Sequence, residues 1–177
     1  LNFYTGRVEV DGKYVTLDDG TPLQYMPLAV EQNLTASKYI ETAGARMKKY
    51  EVDRTAYSDG RMPDNDIVLY RYADVLLMKA EAKVRNGESG DEQLNAVRSR
   101  AGMPSLAATL ANILDERLLE LVWEGWRRQD MIRFGTYCEP YDIHTQSAAD
   151  KKGCTIVFPI PEKARELNPN LAQNPGY

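Results

Sequence analysis

The densest group of side chains that could carry chemistry lies between residues 116 and 133. It consists of acids and arginines: Glu116, Arg117, Glu120, Glu124, Arg127, Arg128, Asp130 and Arg133. Spacings of four residues put Glu116, Glu120 and Glu124 on one face of a helix. Two such acids could flank a glycosidic bond and hydrolyse it, or arginines could pair with them and tie helices together. Because each acid has a nearby arginine that favours the ionised carboxylate, the wrong state for a general acid, the ion-pair interpretation is favoured.

Aromatic residues form the second group, with 11 tyrosines, 2 tryptophans and 3 phenylalanines. Aromatic rings can stack on the apolar C–H patches of a pyranose, while the sugar hydroxyls need hydrogen-bond partners. Four tyrosines of the non-helical amino-terminal part are candidate ligand-binding residues: Tyr4, Tyr14, Tyr25 and Tyr57. Five other aromatic residues fall in predicted helices and are expected in the core: Tyr70, Tyr72, Trp123, Trp126 and Phe134.

The two cysteines, Cys138 and Cys154, leave two interpretations open. In an oxidising compartment they could form a disulfide worth about 3 kcal/mol; in the cytosol they would act as small apolar residues. With one histidine, His144, and no Cys-x-x-Cys motif, the sequence predicts no metal site. It also has no glycine-rich phosphate-binding motif and no Gly-x-Ser-x-Gly, so no cofactor and no nucleophilic enzyme are expected.

Composition excludes several classes of protein. The chain has 177 residues, 43% of them hydrophobic and 27% charged, with a formal net charge of −4. These values are typical of a globular domain and argue against a nucleic-acid-binding protein, which needs a basic surface. No apolar run approaches the roughly 20 residues of a membrane span. The first residues have neither the pattern of a signal peptide nor a lipidation cysteine.

Turn signals predict a small β meander at the amino terminus. Residues 8–10 and 13–15 flank Asp11-Gly12, a dipeptide typical of tight hairpins. A second Asp-Gly pair, Asp19-Gly20, suggests a meander of two or three strands. Residues 35–50 could hold a short helix or irregular chain, and residues 59–66 read as a loop. We assign residues 1–65 to this irregular and β region.

Apolar periodicity predicts two helix pairs over residues 66–135. The first helix is expected from residue 67 to about 85, capped by Asp64 or Asp66, with apolar residues on two sides. The second should cover 91–101, with Ser89 and Glu92 at capping-box spacing. The second pair should begin near Ser105 or Thr109, extend to about 122 and resume at 126–134. Residues 136–177 are assigned to a loop and carboxyl tail of the same domain, extended over 155–161 and helical for one turn over 162–167.

Four blocks of the chain resemble one known family. They are DIVLYRYADVLLMKAEA at 66–82, LNAVRSRAGM at 94–103, the Glu-Arg to Arg-Phe-Gly stretch of 116–135, and the close with FPIP at 158–161, NPNL at 168–171 and QNPGY at 173–177. In this order they resemble the SusD/RagB proteins. Members of that family are longer, so the chain is similar to their carboxyl-terminal portion. The resemblance implies a mainly α fold of tetratricopeptide-like helix pairs, an α-α superhelix, here with a small amino-terminal β meander.

The family resemblance also implies a function. It implies an outer-membrane lipoprotein of Bacteroidetes whose lipid anchor lies outside this chain. Such a protein binds nutrient glycan at the extracellular face without catalysis and delivers it to a SusC-like TonB-dependent transporter. On this basis six residues are predicted to be structural ion-pair partners: Glu81, Arg98, Arg100, Glu120, Arg127 and Asp130. Two alternatives stay open, a helix-repeat docking module without glycan affinity and a glycoside hydrolase.

Overall fold

The computed structural model describes residues 2–29, 40–51, 53–58, 60, 62–141 and 145–177, without the side chain of Cys154. The chain divides into two compact units, Leu1–Ile67 and Val68–Tyr177, which we call the amino-terminal unit and the helical unit. The helix or irregular chain expected over 35–50 falls partly outside the described residues. Asp59 and His144 lie outside them entirely.

Short strands among the described residues of the amino-terminal unit form three antiparallel ladders. Strands β1 (Phe3–Tyr4) and β6 (Arg46–Met47) pair, as do β2 (Gly6–Arg7) with β5 (Gln24–Tyr25) and β3 (Glu9–Val10) with β4 (Lys13–Tyr14). The sequence predicted two or three strands. It missed the pairing of β1 with β6 because the two strands are far apart in the chain, and no local pattern encodes that contact.

The hairpin predicted at Asp11-Gly12 is confirmed. Asp11 has φ 50° and Gly12 has φ 76°, the two positive values of a type I′ turn. This turn matches the twist of the strands that flank it, β3 and β4. The second predicted turn is present too, since Leu17 N donates to Thr21 O over 2.7 Å.

The helical unit confirms a mainly helical fold with packed pairs. Its helices are α1 (Tyr72–Arg85), α2 (Asp91–Arg100), α3 (Leu110–Glu120), α4 (Arg127–Arg133), α5 (Ala148–Lys151) and α6 (Glu162–Leu167), with a 3-10 turn at Cys154–Ile156. Helix α1 packs against α2 and α3, and α3 packs against α4. The shared core consists of Leu77, Ala80, Leu94, Val97 and Ile113.

A close approach of backbones joins α1 to α2 at Gly90. A Cβ atom added there would lie 2.7 Å from the carbonyl oxygen of Ala80, nearer than any real Cβ contact. Only glycine therefore fits at this helix junction in its present geometry.

Helix α1 begins at Tyr72, later than the sequence predicted. Ile67 and Leu69 precede it and are 86% and 72% exposed. Arg71 is extended, with φ −143° and ψ 162°, and has no side-chain cap. The prediction relied on the capping preference of Asp64 and Asp66, whereas ion pairs of Arg71 with residues distant in the chain hold an extended backbone here.

Helix starts show how local signals compete. The Ser89–Glu92 capping box is wrong, because Gly90 is the N-cap and the Ser89 hydroxyl accepts from Asp91 N over 3.2 Å. Thr109, one of two predicted starts, does cap α3. The sequence analysis missed α5, although Ser147 forms a capping box there.

The carboxyl tail is partly as predicted. Helix α6 confirms the expected helical turn. Cys154–Ile156 is a 3-10 turn where extended chain was expected, since the two prolines that exclude helix come only after it. The tail then folds back, with the Gln173 amide bonded to both N (2.8 Å) and O (3.0 Å) of Ile160.

The outer face of α1 is apolar and exposed, whereas apolar residues on two sides are typical of a helix that is buried between neighbours. Tyr72, Val75 and Met78 are 74%, 46% and 40% exposed. Among the described residues, no helix combines the length and the apolar character that crossing a membrane requires.

Candidate functional site: an ion-pair network and a tyrosine surface

Arg117 on α3 lies at the centre of the charged cluster. Its Nη1 donates to Asp74 of α1 and its Nε to Asp130 of α4, each over 2.8 Å, and all three side chains are at most 1% exposed. Burial alone would lower the pKa of Arg117, but the hydrogen bonds and charges of Asp130 and Asp74 outweigh burial and raise this pKa. One guanidinium thus ties three helices together.

The network continues across the surface of α1 and α4. Asp130 also accepts from Arg133 over 2.9 Å, and Arg133 bonds Glu81 over 2.7 Å. Glu81 accepts in addition from Arg85, one helical turn later, over 2.8 Å. Because acids and arginines alternate along this chain of contacts, their charges cancel.

A second set of pairs connects the start of α1 to the end of α3. Arg71 bonds Glu120 over 2.5 Å and Glu124 over 2.8 Å, and it also donates to the backbone oxygen of Glu120. Although partial burial lowers the pKa of Arg71, its hydrogen bonds to Glu124 and Glu120 raise it overall. Arg100 of α2 reaches Glu120 over 2.7 Å.

A third pair joins α2 to α3. Arg98 bonds Glu116 over 2.5 Å, with both side chains at most 8% exposed. The Nε of Arg98 also donates to the carbonyl oxygen of Pro104 over 2.8 Å, in the connection between the helices. These bonds fix the loop that leads into α3.

Five of the six predicted scaffold residues lie in these pairs: Glu81, Arg98, Arg100, Glu120 and Asp130. Arg127 differs, because the structure places its Nη1 at 3.3 Å from the carbonyl oxygen of Leu114 rather than on a carboxylate. Arg100 is also less buried than expected, with its side chain 63% exposed. The prediction omitted Asp74 and Arg71, whose signal, a charge inside an apolar helical stripe, was visible in the sequence.

This pairing decides what the cluster can do chemically. Glu116, Glu120 and Glu124 each lie within 2.8 Å of an arginine nitrogen. A carboxylate held by a guanidinium is stabilised as the anion and does not serve as a proton donor. In the described part of the chain, no three His, Cys, Asp or Glu side chains converge as metal ligands do.

The structure brings two of the four candidate tyrosines together around Arg46. Tyr4 is the cross-strand partner of Arg46 in the β1–β6 ladder, and the Arg46 guanidinium lies 4.8 Å from the ring centroid of Tyr25. Two backbone carbonyls, those of Ala43 and Glu41, accept from the same guanidinium and hold it in place. We call Tyr4, Tyr25 and Arg46 the tyrosine–arginine cluster.

Cations cover other tyrosine rings of the amino-terminal unit as well. Lys48 Nζ lies 5.0 Å from the Tyr4 centroid, and the Arg7 guanidinium lies 4.0 Å from that of Tyr14. Tyr14 is 57% exposed, and Tyr57 is 81% exposed in a separate turn. The sequence analysis did not predict these contacts between cations and tyrosine rings. A signal was present, because Arg46 and Lys48 are two residues apart and residues at that spacing lie on the same face of a strand.

The aromatic residues expected in the core lie partly at the surface. Tyr70, Tyr72 and Trp123 are 70%, 74% and 48% exposed, while Trp126 and Phe134 are half-buried. The core expectation is wrong for the first three because Tyr70 precedes α1, Tyr72 lies on its outer face and Trp123 lies in the turn after α3.

Cys138 is a free thiol, with its Sγ 3.5 Å from Oγ1 of Thr155. The side chain of Cys154 lies outside the described residues. A disulfide between them stays a prediction for the oxidised protein.

Comparison with known proteins identifies the family. The sequence profile of the SusD family matches residues 27–177. The chain belongs to the SusD family. The starch-binding protein SusD of Bacteroides thetaiotaomicron is 30% identical over 139 residues, covering 75% of this chain and 25% of that protein. A SusD-like protein of Formosa agariphila is 32% identical over 130 residues, covering 64% of this chain and 25% of that protein.

The match is confined to part of each relative. This chain spans about a quarter of the length of both SusD family proteins. The matched profile includes α1 to α4 and the carboxyl tail, so it contains the whole ion-pair network.

Proposed function

We propose that this chain is part of a non-catalytic protein that binds nutrient carbohydrate at the extracellular face of the outer membrane. In this proposal the complete protein is held by a lipid anchor outside this chain and passes its ligand to a SusC-like transporter. Residues 66–135 serve as the helix-pair scaffold, and residues 1–65 belong to the part outside the repeats. The name of the relative from Bacteroides thetaiotaomicron, a starch-binding protein, supports carbohydrate as the ligand class.

One observation carries the non-catalytic part of the proposal. The acids that could have formed a hydrolytic pair are bonded to arginines, which leaves the cluster a structural role. A glycosidase needs one carboxyl group that stays protonated near neutral pH and a second that is free to act as base or nucleophile. The arginine contacts oppose both requirements.

The tyrosine–arginine cluster is the proposed ligand surface of the amino-terminal unit. A cation over one face of a tyrosine restricts the rotation of the ring. A restricted ring loses less conformational entropy when a sugar stacks on it, so binding costs less free energy. Arginine and lysine beside the rings also supply donors for sugar hydroxyls.

The test is a titration of the complete protein against a panel of polysaccharides by calorimetry, with an assay for released reducing sugar. We expect saturable binding of at least one polysaccharide and no sugar release. Tyr4→Ala and Tyr25→Ala should weaken binding, whereas the control Tyr72→Ala, which removes a more exposed tyrosine on α1, should not.

Each alternative predicts a different result. Sugar release that scales with protein concentration would identify a hydrolase and refute the proposal. A docking module would bind the transporter with no affinity for any polysaccharide of the panel. If binding is present but unchanged by both tyrosine variants, carbohydrate binding stands and the tyrosine–arginine cluster is not its site.

A further inference from the structure

A groove between α1 and α4 of the helical unit has the form of a ligand site and is lined by residues other than those of the tyrosine–arginine cluster. Its volume is about 670 Å³, within the range of about 300–1,000 Å³ of small-molecule sites. Met78 and Ala82 of α1 line one side, and Trp126 and Gln129 line the other. We call it the α1–α4 groove.

An aromatic pair lies in this groove. The ring centroids of Tyr70 and Trp126 are 5.4 Å apart and their planes are tilted by 49°. Tyr70 is 70% exposed and Trp126 is half-buried, so the pair combines a fixed ring with an accessible one. Tilted rings present two differently oriented apolar faces, which suits a chain of sugar rings that turns at each linkage.

Hydrogen-bonding groups beside the rings remain available, and one of them, the Arg85 guanidinium, is held in place. Glu81 accepts from Nε of Arg85 over 2.8 Å, and the Arg85 guanidinium stacks 4.9 Å from the Phe134 centroid. Within the described part of the helical unit, the terminal nitrogens of Arg85 and the side-chain amide of Gln129 have no hydrogen-bond partner. The groove therefore offers Arg85 donors whose position folding has already restricted, together with the exposed amide of Gln129.

The charge of the groove indicates which ligands it favours. Its arginines are balanced by carboxylates of the ion-pair network: Arg85, Arg117 and Arg133 against Asp74, Glu81 and Asp130. With no net charge in these contacts, an anionic ligand gains little Coulomb energy and would compete with the carboxylates for the arginines. Uncharged hydroxyl groups can bond to the free donors without breaking any ion pair.

We infer that the α1–α4 groove binds a neutral oligosaccharide, whose rings stack on Tyr70 and Trp126. Its hydroxyl groups accept from Arg85 and bond to the amide of Gln129. This inference rests on the proposed function, and it adds a second carbohydrate site of defined charge preference on the helical unit.

The test uses the complete protein with maltoheptaose, cellohexaose and xylohexaose as neutral probes and hexagalacturonate as the anionic probe. We expect one of the neutral probes to bind, and Tyr70→Ala and Gln129→Ala each to weaken that binding about fivefold to tenfold. Tyr72→Ala is the matched control, because it removes an equally exposed tyrosine outside the groove and should leave the affinity unchanged.

Oxidative footprinting tests the occupant independently of the variants. We expect Tyr70 and Trp126 to be labelled in the free protein and protected by the neutral probe. Protection in the free protein would show that another protein segment fills the groove and would overturn the inference. Binding with wild-type affinity in both variants, or a preference for hexagalacturonate, would also overturn it while leaving the proposed function intact. If no polysaccharide or probe binds at all, the proposed function fails as well.

Discussion

Replacing Arg117 by methionine tests the claim that the charged cluster is a scaffold. The substitution keeps a long apolar side chain and removes the guanidinium that joins α1, α3 and α4. It leaves the carboxylates of Asp74 and Asp130 buried, at 0% and 1% exposed, without their shared cation. Asp74 already has one carboxylate oxygen that is buried without a hydrogen-bond partner among the described residues.

The expected loss of stability follows from burial. Removing one partner of a buried ion pair costs about 3–5 kcal/mol, because the remaining charge is uncompensated. Asp74 loses the arginine that pairs with it, whereas Asp130 keeps its contact with Arg133, so we expect a loss of about 3–5 kcal/mol. For a unit of this size, that loss corresponds to a melting temperature lower by about 12–20 °C.

Arg100→Met is the matched control. Arg100 also bonds a carboxylate, that of Glu120 over 2.7 Å, but its side chain is 63% exposed and Arg71 remains as a second partner of Glu120. Exposed ion pairs contribute about 0–1 kcal/mol. The two arginine variants therefore differ chiefly in burial.

The measurement is urea unfolding followed by circular dichroism at pH 6 and at pH 8. The pKa of Arg117 is raised, so its stabilising contribution is complete below its unfolded pKa and is lost only as pH rises through the higher folded value. Both lie far above pH 8, and the loss should be the same at the two pH values. Adding Asp74→Asn and Asp130→Asn to Arg117→Met should restore at least about 2 kcal/mol.

Two results would refute the scaffold argument. One is an Arg117→Met protein within about 1 kcal/mol of the wild type. The other is a triple variant no more stable than the single one, which would attribute the loss to packing rather than to unmatched charge. If Arg117→Met does not fold at all, the triple variant still gives the comparison with the wild type.

Three further predictions concern other parts of the chain. Gly90→Ala should lower the free energy of unfolding by about 1–3 kcal/mol, because the added Cβ would lie 2.7 Å from a backbone oxygen of α1. Unchanged stability in urea would contradict this, because it would show that α1 and α2 can move apart at no cost. Hydrogen bonds from the backbone amide of Asp64 and from Thr55 lower the pKa of Asp53 to about 2. The stabilisation that the ionised Asp53 carboxylate provides through these bonds is therefore present above about pH 4 and is lost as pH falls toward 2. An NMR titration of the Asp64 amide with a midpoint near pH 4 would contradict it. Arg127→Ala should lower the free energy of unfolding by only about 1–2 kcal/mol, since it removes one hydrogen bond to a carbonyl oxygen. Polysaccharide affinity per folded molecule should not change. A loss of stability as large as that of Arg117→Met would contradict this prediction.

Local sequence patterns predicted the features whose information is local. The Asp11-Gly12 hairpin follows from two residues that accept positive φ, and both have it. Helices α2 and α3 lie where apolar periodicity placed them, and Thr109 caps α3 as its side chain allows. Such features depend on contacts within a few residues, so the pattern contains their cause.

The errors occur where a distant contact outweighs a local preference. Asp66 is a good cap, yet α1 starts at Tyr72 because Arg71 pairs with Glu120 and Glu124. Tyr70 was expected in the core as an aromatic residue of a predicted helix, but it lies in the segment before α1 and is 70% exposed. Neither outcome can be read from the residues nearby.

The sequence by itself determined that this chain is mainly helical, that its acids and arginines form ion pairs, and that it belongs to the SusD family. Only the tertiary structure decided which acid each arginine meets, that Arg46 joins Tyr4 to Tyr25, and that a neutral groove lies between α1 and α4. The physical reason is distance along the chain: Arg117 and Asp74 are 43 residues apart, so their contact depends on how the helices pack and not on any pattern within one helix.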